Sequence, residues 1–174
     1  MPVLIALGAQ VELRQGSRTR TLPLEQFYLG YQRKDLQPGE FVSAVIVPQP
    51  PAGTHLASYK VSKRFEQDIS AVCAGFMIQL DGNRIVAARL GFGGMAATPA
   101  RAKHAEAALI NKEWTLDTIE SAAHALSDDF QPLTDMRASK EYRALAAAQL
   151  LRRFYDDVQG TTSPSLQTLQ PVLT

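Results

Sequence analysis

The sequence predicts an α+β fold: an antiparallel sheet of about three strands covered by helices on one face, preceded by a separate β-rich segment. Three observations predict it. Apolar and polar residues alternate with period two in several short runs before Gly93, while helical spacing takes over beyond Thr98. Strands first and helices second is the order of an α+β domain rather than of alternating βαβ units. Between the β-rich segment and the sheet lies Pro48-Gln49-Pro50-Pro51-Ala52-Gly53, which can continue neither helix nor strand.

Taken in order, Pro2–Leu7 reads as a short apolar turn or helix. Gln10–Arg14 and Thr19–Leu22 alternate around Gln15-Gly16-Ser17 and form a hairpin. Residues 23–28 turn into a short helix, a loop runs from Gly30 to Gly39, and Phe41–Val47 is an apolar strand stopped by Pro48. The division is therefore residues 1–48, a linker at 49–54, a second domain at 55–159 and a flexible tail at 160–174. In the second domain, Leu56–Arg64, Ala71–Leu80 and Arg84–Phe92 are strands, the last two joined through Asp81-Gly82-Asn83, a hairpin signal. Thr98 caps and Pro99 opens a helix to about Asn111, and a second helix runs from Thr115 to about Ser127. Ser139 caps a third. It places Tyr142, Leu145, Ala148, Leu151, Phe154, Tyr155 and Val158 on an apolar face, with Lys140, Arg143, Arg152 and Arg153 on the other.

Composition narrows the function classes. The 174 residues carry 18 basic and 17 acidic side chains, a net charge of +1 that calls for neither nucleic acid nor an anionic membrane. Cys73 is the only cysteine, which excludes an intramolecular disulfide and a cysteine cluster for iron or zinc. Its apolar strand makes it a buried structural thiol with a raised pKa. No run approaches the roughly 20 apolar residues of a membrane span and no cleavable leader is present, so a cytoplasmic protein is expected. His55, His104 and His124 have no second metal ligand at helical spacing, and Asp128-Asp129 and Asp156-Asp157 read as solvated pairs. No serine has the setting of a nucleophile elbow.

The stretch Tyr59-Lys60-Val61-Ser62-Lys63-Arg64-Phe65-Glu66-Gln67-Asp68-Ile69 concentrates cations, acids and aromatics between two strands, where function usually sits. A flavin ring needs an apolar wall, a cation near its pyrimidine edge and polar groups for the second substrate, and this stretch could supply them. Its cations would equally serve as solvated guards on an edge strand. Leu90-Gly91-Phe92-Gly93-Gly94-Met95 reads either as a phosphate approach or as a tight strand-to-helix turn; it lacks a full dinucleotide fingerprint.

Several runs together resemble one family. Pro2-Val3-Leu4-Ile5-Ala6-Leu7-Gly8-Ala9, Leu22–Lys34, Leu36–Val42 through Pro48, Tyr59-Lys60 with Arg64–Ser70, Gly93–Ala96 and Pro99–Ala102 are similar to the FAD-binding small subunit of xanthine dehydrogenases, from Pro2 to about Tyr155. The resemblance implies that Val42 and Lys60 contact FAD, that Asp68 lies in the loop screening the ring from the nicotinamide site, and that Arg64 is its neighbour. It implies residues 1–48 as a remnant of the FAD-binding domain. It also implies an electron relay in which a substrate such as xanthine or hypoxanthine is hydroxylated at a molybdenum cofactor on a large partner subunit. Electrons then pass through iron–sulfur clusters and FAD to NAD. The family's cluster cysteines, its glycine-rich FAD loop and an acidic residue before Pro2 are not in this sequence. A fragment missing the N-terminal part of its subunit, inactive alone, is therefore expected. A non-catalytic interaction module, or the flavoprotein of a carbon monoxide dehydrogenase or aldehyde oxidoreductase, is the alternative.

Overall fold

The computed structural model describes residues 1–64 and 69–161. Proline at its first turn starts helix α1 (Pro2–Ala6). Strands β1 (Gln10–Gln15) and β2 (Arg18–Pro23) then form the predicted hairpin around Gly16, whose φ of +59° suits glycine. After a 3₁₀ turn at Leu24–Gln26 come the short strands β3 (Tyr28–Gly30) and β4 (Arg33–Lys34), which pair with each other. Strand β5 (Phe41–Ile46) returns to the free side of β1, giving the order β2-β1-β5. A small core of Ile5, Ala9, Val11, Leu13, Leu24 and Phe27 lies beneath this sheet.

The second sheet is antiparallel in the order β6-β7-β8-β9, with β6 (Thr54–Val61), β7 (Val72–Asp81), β8 (Arg84–Gly93) and the two-residue β9 (Ala100–Arg101). Helices α2 (Lys103–Leu109), α3 (Leu116–Asp129) and α4 (Lys140–Val158) close over one face of it. Alternate residues Val72, Ala74, Phe76 and Ile78 of β7 point into this layer. Phe76 is its centre, with the rings of Tyr59, Phe92 and Phe154 at 5.8, 5.3 and 5.6 Å.

The sheet's other face receives α1. Gly75 and Gly91 are register partners, so two adjacent positions on that face lack side chains. A Cβ on Gly75 would lie 2.6 Å from the Val3 backbone, and one on Gly91 2.5 Å from the Pro2 carbonyl oxygen. The helix therefore seats backbone against backbone. Arg89 then donates from Nη2 to the Ile5 carbonyl at 2.7 Å and from Nε to that of Ala6 at 3.1 Å, placing a cation at the carbonyl end of α1. Glu25 bridges Arg89 and Arg101 at 3.1 and 3.6 Å, and Arg101 pairs with buried Glu106, which also accepts from the Leu90 amide at 2.8 Å. This ladder ties the two sheets together.

Three details differ from the sequence reading. The helix expected from Thr98 starts only at Lys103, because Ala100 and Arg101 pair with Phe92 and Gly91 as β9. Its cap comes from afar: the Asp129 carboxylate accepts from the amides of His104 and Ala105 at 2.9 and 3.0 Å, so Asp129 is no solvated acid. The apolar face of α4 is rotated from the expected one. Arg143, Ala147, Leu150, Leu151 and Phe154 are buried, while Tyr142 and Leu145 are exposed. The two Nη groups of Arg143 donate to internal partners, which the apolar periodicity cannot register. The tail from residue 162 lies outside the described residues. No described helix is long and apolar enough to cross a membrane.

Candidate functional site

Lys60 sits near the end of β6, an edge strand whose inward residues Ala57, Tyr59 and Val61 pack on the helix-covered core. Strand alternation therefore turns Lys60 to the α1 face, where it is exposed. Its register partner is Cys73, and the partner of Cys73 on the far side is Gly93, so the three form one row across the sheet. Proline packs against this row: a Cβ on Gly93 would meet Pro2 Cγ at 3.3 Å. The Cys73 thiol is half-buried and burial pushes its pKa up, against the pull of the chain's amino group and of Lys60. It is a half-buried spacer beside an exposed cation.

Beneath Lys60, Tyr59 points the opposite way and donates to Asp157 Oδ2 at 2.6 Å, with the Arg153 guanidinium 5.3 Å from its ring centre. Burial first, and then this carboxylate, raise the phenol's pKa. The outer strand is thereby pinned to α4, which fixes where Lys60 emerges.

Past β6, Lys63 and Arg64 line a cleft of about 490 Å³ with Ile69, Ala71, Met136 and Arg137. Lys63 Nζ donates to the Met136 carbonyl at 2.7 Å. Asp68 falls outside the described residues. Val42 lies on the first sheet, opposite Leu13, and is 41% exposed. All of β5 is exposed, Phe41, Val45 and Ile46 included, and among the described residues only one of its edges is paired. The structure thus brings Lys63 and Arg64 into one cleft, sets Lys60 on the neighbouring face, and holds Val42 on a different sheet. Sequence reasoning missed Met136, Arg137 and Arg143. The one available signal was Asp135, whose carboxylate accepts from the amides of Arg137 and Ala138 in a turn of the kind aspartate favours before a helix cap.

These groups fit one end of a flavin dinucleotide. An exposed lysine and an apolar strand suit the electron-rich edge and the face of a ring. The glycines do not form a pyrophosphate cradle: Gly75, Gly91 and Gly93 are taken up by α1, and a Cβ on Gly94 would lie 2.4 Å from the Ala71 carbonyl oxygen. Among the described residues no cluster of three or more His, Cys, Asp or Glu could hold a metal ion.

Residues 57–158 match the family described as CO dehydrogenase flavoprotein C-terminal domain, and residues 1–50 match the FAD binding domain in molybdopterin dehydrogenase. Xanthine dehydrogenase of Emericella nidulans is 33% identical over 90% of this chain and 12% of its own length. The xanthine dehydrogenase FAD-binding subunit of Escherichia coli is 29% identical over 95% of this chain, which spans 57% of that subunit. The carbon monoxide dehydrogenase from Hydrogenophaga pseudoflava that lacks the Mo-pyranopterin moiety superimposes with a TM-score of 0.84 at 28% identity, over 93% of this chain and 56% of that one. The α+β architecture, the α1 seat and the strand that carries Lys60 therefore fall within two matching flavoprotein families, and the chain belongs to the FAD-binding flavoproteins of the molybdenum hydroxylases, the group that includes xanthine and carbon monoxide dehydrogenases.

Proposed function

We propose that this chain forms the C-terminal part of the FAD-carrying subunit of a xanthine dehydrogenase, in which electrons from purine hydroxylation at a molybdenum cofactor pass through iron–sulfur clusters and FAD to NAD. Bound FAD would supply the carrier between one-electron clusters and a two-electron acceptor. Lys60 would hold its ammonium against the electron-rich edge of the ring, Val42 would offer an apolar wall, and Arg64 and Asp68 would face the second substrate. The observation that carries this reading is the row Lys60–Cys73–Gly93, an exposed cation held on a rigid strand beside the α1 seat.

Strand β5 supports the missing N-terminal part as a partner. A six-residue strand exposed on both faces, with one edge unpaired among the described residues, invites pairing by a further strand. The same reading keeps the division at 1–48 and 55–159, a large subunit carrying the molybdenum cofactor, and a cytoplasmic location. The match to carbon monoxide dehydrogenase flavoproteins favours a second reading, with the same flavin role and another hydroxylated substrate, because the substrate is chosen on the molybdenum subunit.

The test is FAD titration of the complete subunit. Lys60→Ala should weaken FAD about tenfold, the loss of one charge-assisted contact, and should lower NADH-dependent dye reduction. The isolated 174-residue chain should reduce no dye. Unchanged affinity in Lys60→Ala would sink the assignment of Lys60 and favour an interaction module.

A further inference from the structure

Arg143 and Glu106 are the two buried charged residues among those described. Glu106 closes a fixed corner between β8, β9 and α2. Arg143 does something different. It stands in the first turn of α4 and is only 3% exposed. A buried guanidinium is costly unless its donors are taken up, so what it grips is informative. Nη1 donates to the Ala71 carbonyl, just before β7, and to the Gly94 carbonyl at 2.8 Å, just after β8; Nη2 donates to Asp135 Oδ1 at 2.6 Å. None of these partners belongs to α4. Its Nε is buried without a partner, so the fork is not optimised for α4 itself; it is held where it reaches three other segments.

The same short stretch also grips the opposite side of the β6–β7 connection. Asp135 accepts from the amides of Arg137 and Ala138 at 2.8 and 3.2 Å, which folds 135–138 into a turn, and Met136 in that turn receives Lys63 Nζ. The turn's amides, and then Arg143, hold the Asp135 carboxyl below its usual range, so it stays charged for the guanidinium. Residues 135–143 thus bind the connection at Lys63 on its incoming side and at Ala71 on its outgoing side.

Resting on the flavin reading above, we infer that Arg143, seated by Asp135, is a positioning residue that sets the two ends of the β6–β7 connection, and with them Lys63 and Arg64, for the substrate that meets the flavin. Arg143 touches no substrate in this role; it acts through the Ala71 and Gly94 carbonyls. Lysine at 143 would keep the charge and lose the fork, since one ammonium cannot serve carbonyls on two sides and a carboxylate as a planar guanidinium does.

The experiment compares Arg143→Lys and the milder Asp135→Asn with wild type in the complete subunit, by amide hydrogen exchange and by steady-state NADH–dye reduction. Both variants should exchange about tenfold faster in the peptides covering 60–64 and 69–73, with the α2 and α3 amides unchanged. Their KM for NADH should rise about fivefold or more while kcat and bound FAD stay within about twofold. Exchange that quickens equally throughout the domain, or a loss of kcat and FAD in proportion to unfolding, would mean a merely structural role and overturn the inference. So would local exchange that changes while KM does not. If wild type binds no FAD, the flavin reading fails and the positioning role falls with it, while the exchange data still decide whether the frame exists.

Discussion

The two sheets of this chain solve the same problem differently. The second sheet is covered on one face by three helices and on the other by α1, so Phe76, Ile78, Ile85, Leu90 and Phe92 are almost fully buried. The first sheet rests on a six-residue core and leaves β5 bare, with Phe41 56% and Val45 47% exposed. Its outer parts are held by polar contacts instead: Arg20 forks onto Glu40 at 2.8 Å and onto Asp35 at 3.0 Å. One region buries its strands on both faces, and the other leaves its outer strand exposed. Apolar strands left open on both faces are surfaces on which further chain can pair or pack.

That contrast can be broken or sharpened in three ways. The largest effect belongs to the finished core, where Phe76→Ala should cost about 3–5 kcal/mol by removing the ring that three other aromatics pack against. Chemical denaturation would read it, and a loss below about 1 kcal/mol would mean that this core is not the organising one. Next comes the seam between the two regions. Gly91→Val should cost roughly 2–3 kcal/mol, because its Cβ would overlap the Pro2 carbonyl and lift α1 from the sheet. Hydrogen exchange should then rise in residues 3–9 while the α3 and α4 amides remain protected. The smallest effect is acid loosening of the first sheet. Hydrogen bonds from Arg20, and then from the Gln37 amide, lower the Glu40 pKa from 4.5 to about 2. A depressed carboxyl contributes stability above its unfolded value, which is lost as pH falls from about 4.5 towards 2. Backbone exchange in residues 18–22 and 35–41 should rise over that interval, and Glu40→Gln should flatten the response.

Much of this was legible in the sequence. Period-two alternation located the β1–β2 hairpin and the long strands β6, β7 and β8, and Asp81-Gly82 marked the turn between two of them. Ser139 was readable as a cap and Thr115 as the start of a helix, and both side chains accept from the amide three residues on. Asp68 lies outside the described residues, but Lys63 and Arg64, which line one cleft, were readable as part of a charged stretch because cations concentrated between strands stand out against their neighbours. Arg143 was not. In a helix pattern it looks like one more surface cation, and only its distant partners make burial tolerable.

By itself the sequence determined the element types, the α+β order and the charged character of the β6–β7 connection, since these follow from local periodicity and turn chemistry. Tertiary structure alone decided which residues meet across the chain. Gly91 and Gly93 became a seat for α1 rather than a phosphate loop, because Gly75 supplies the other half of that seat from the neighbouring strand. Asp129 became the cap of α2 and Arg143 a donor to carbonyls before β7 and after β8. Each depends on groups dozens of residues apart being brought within hydrogen-bond reach, and periodicity carries no information at that range.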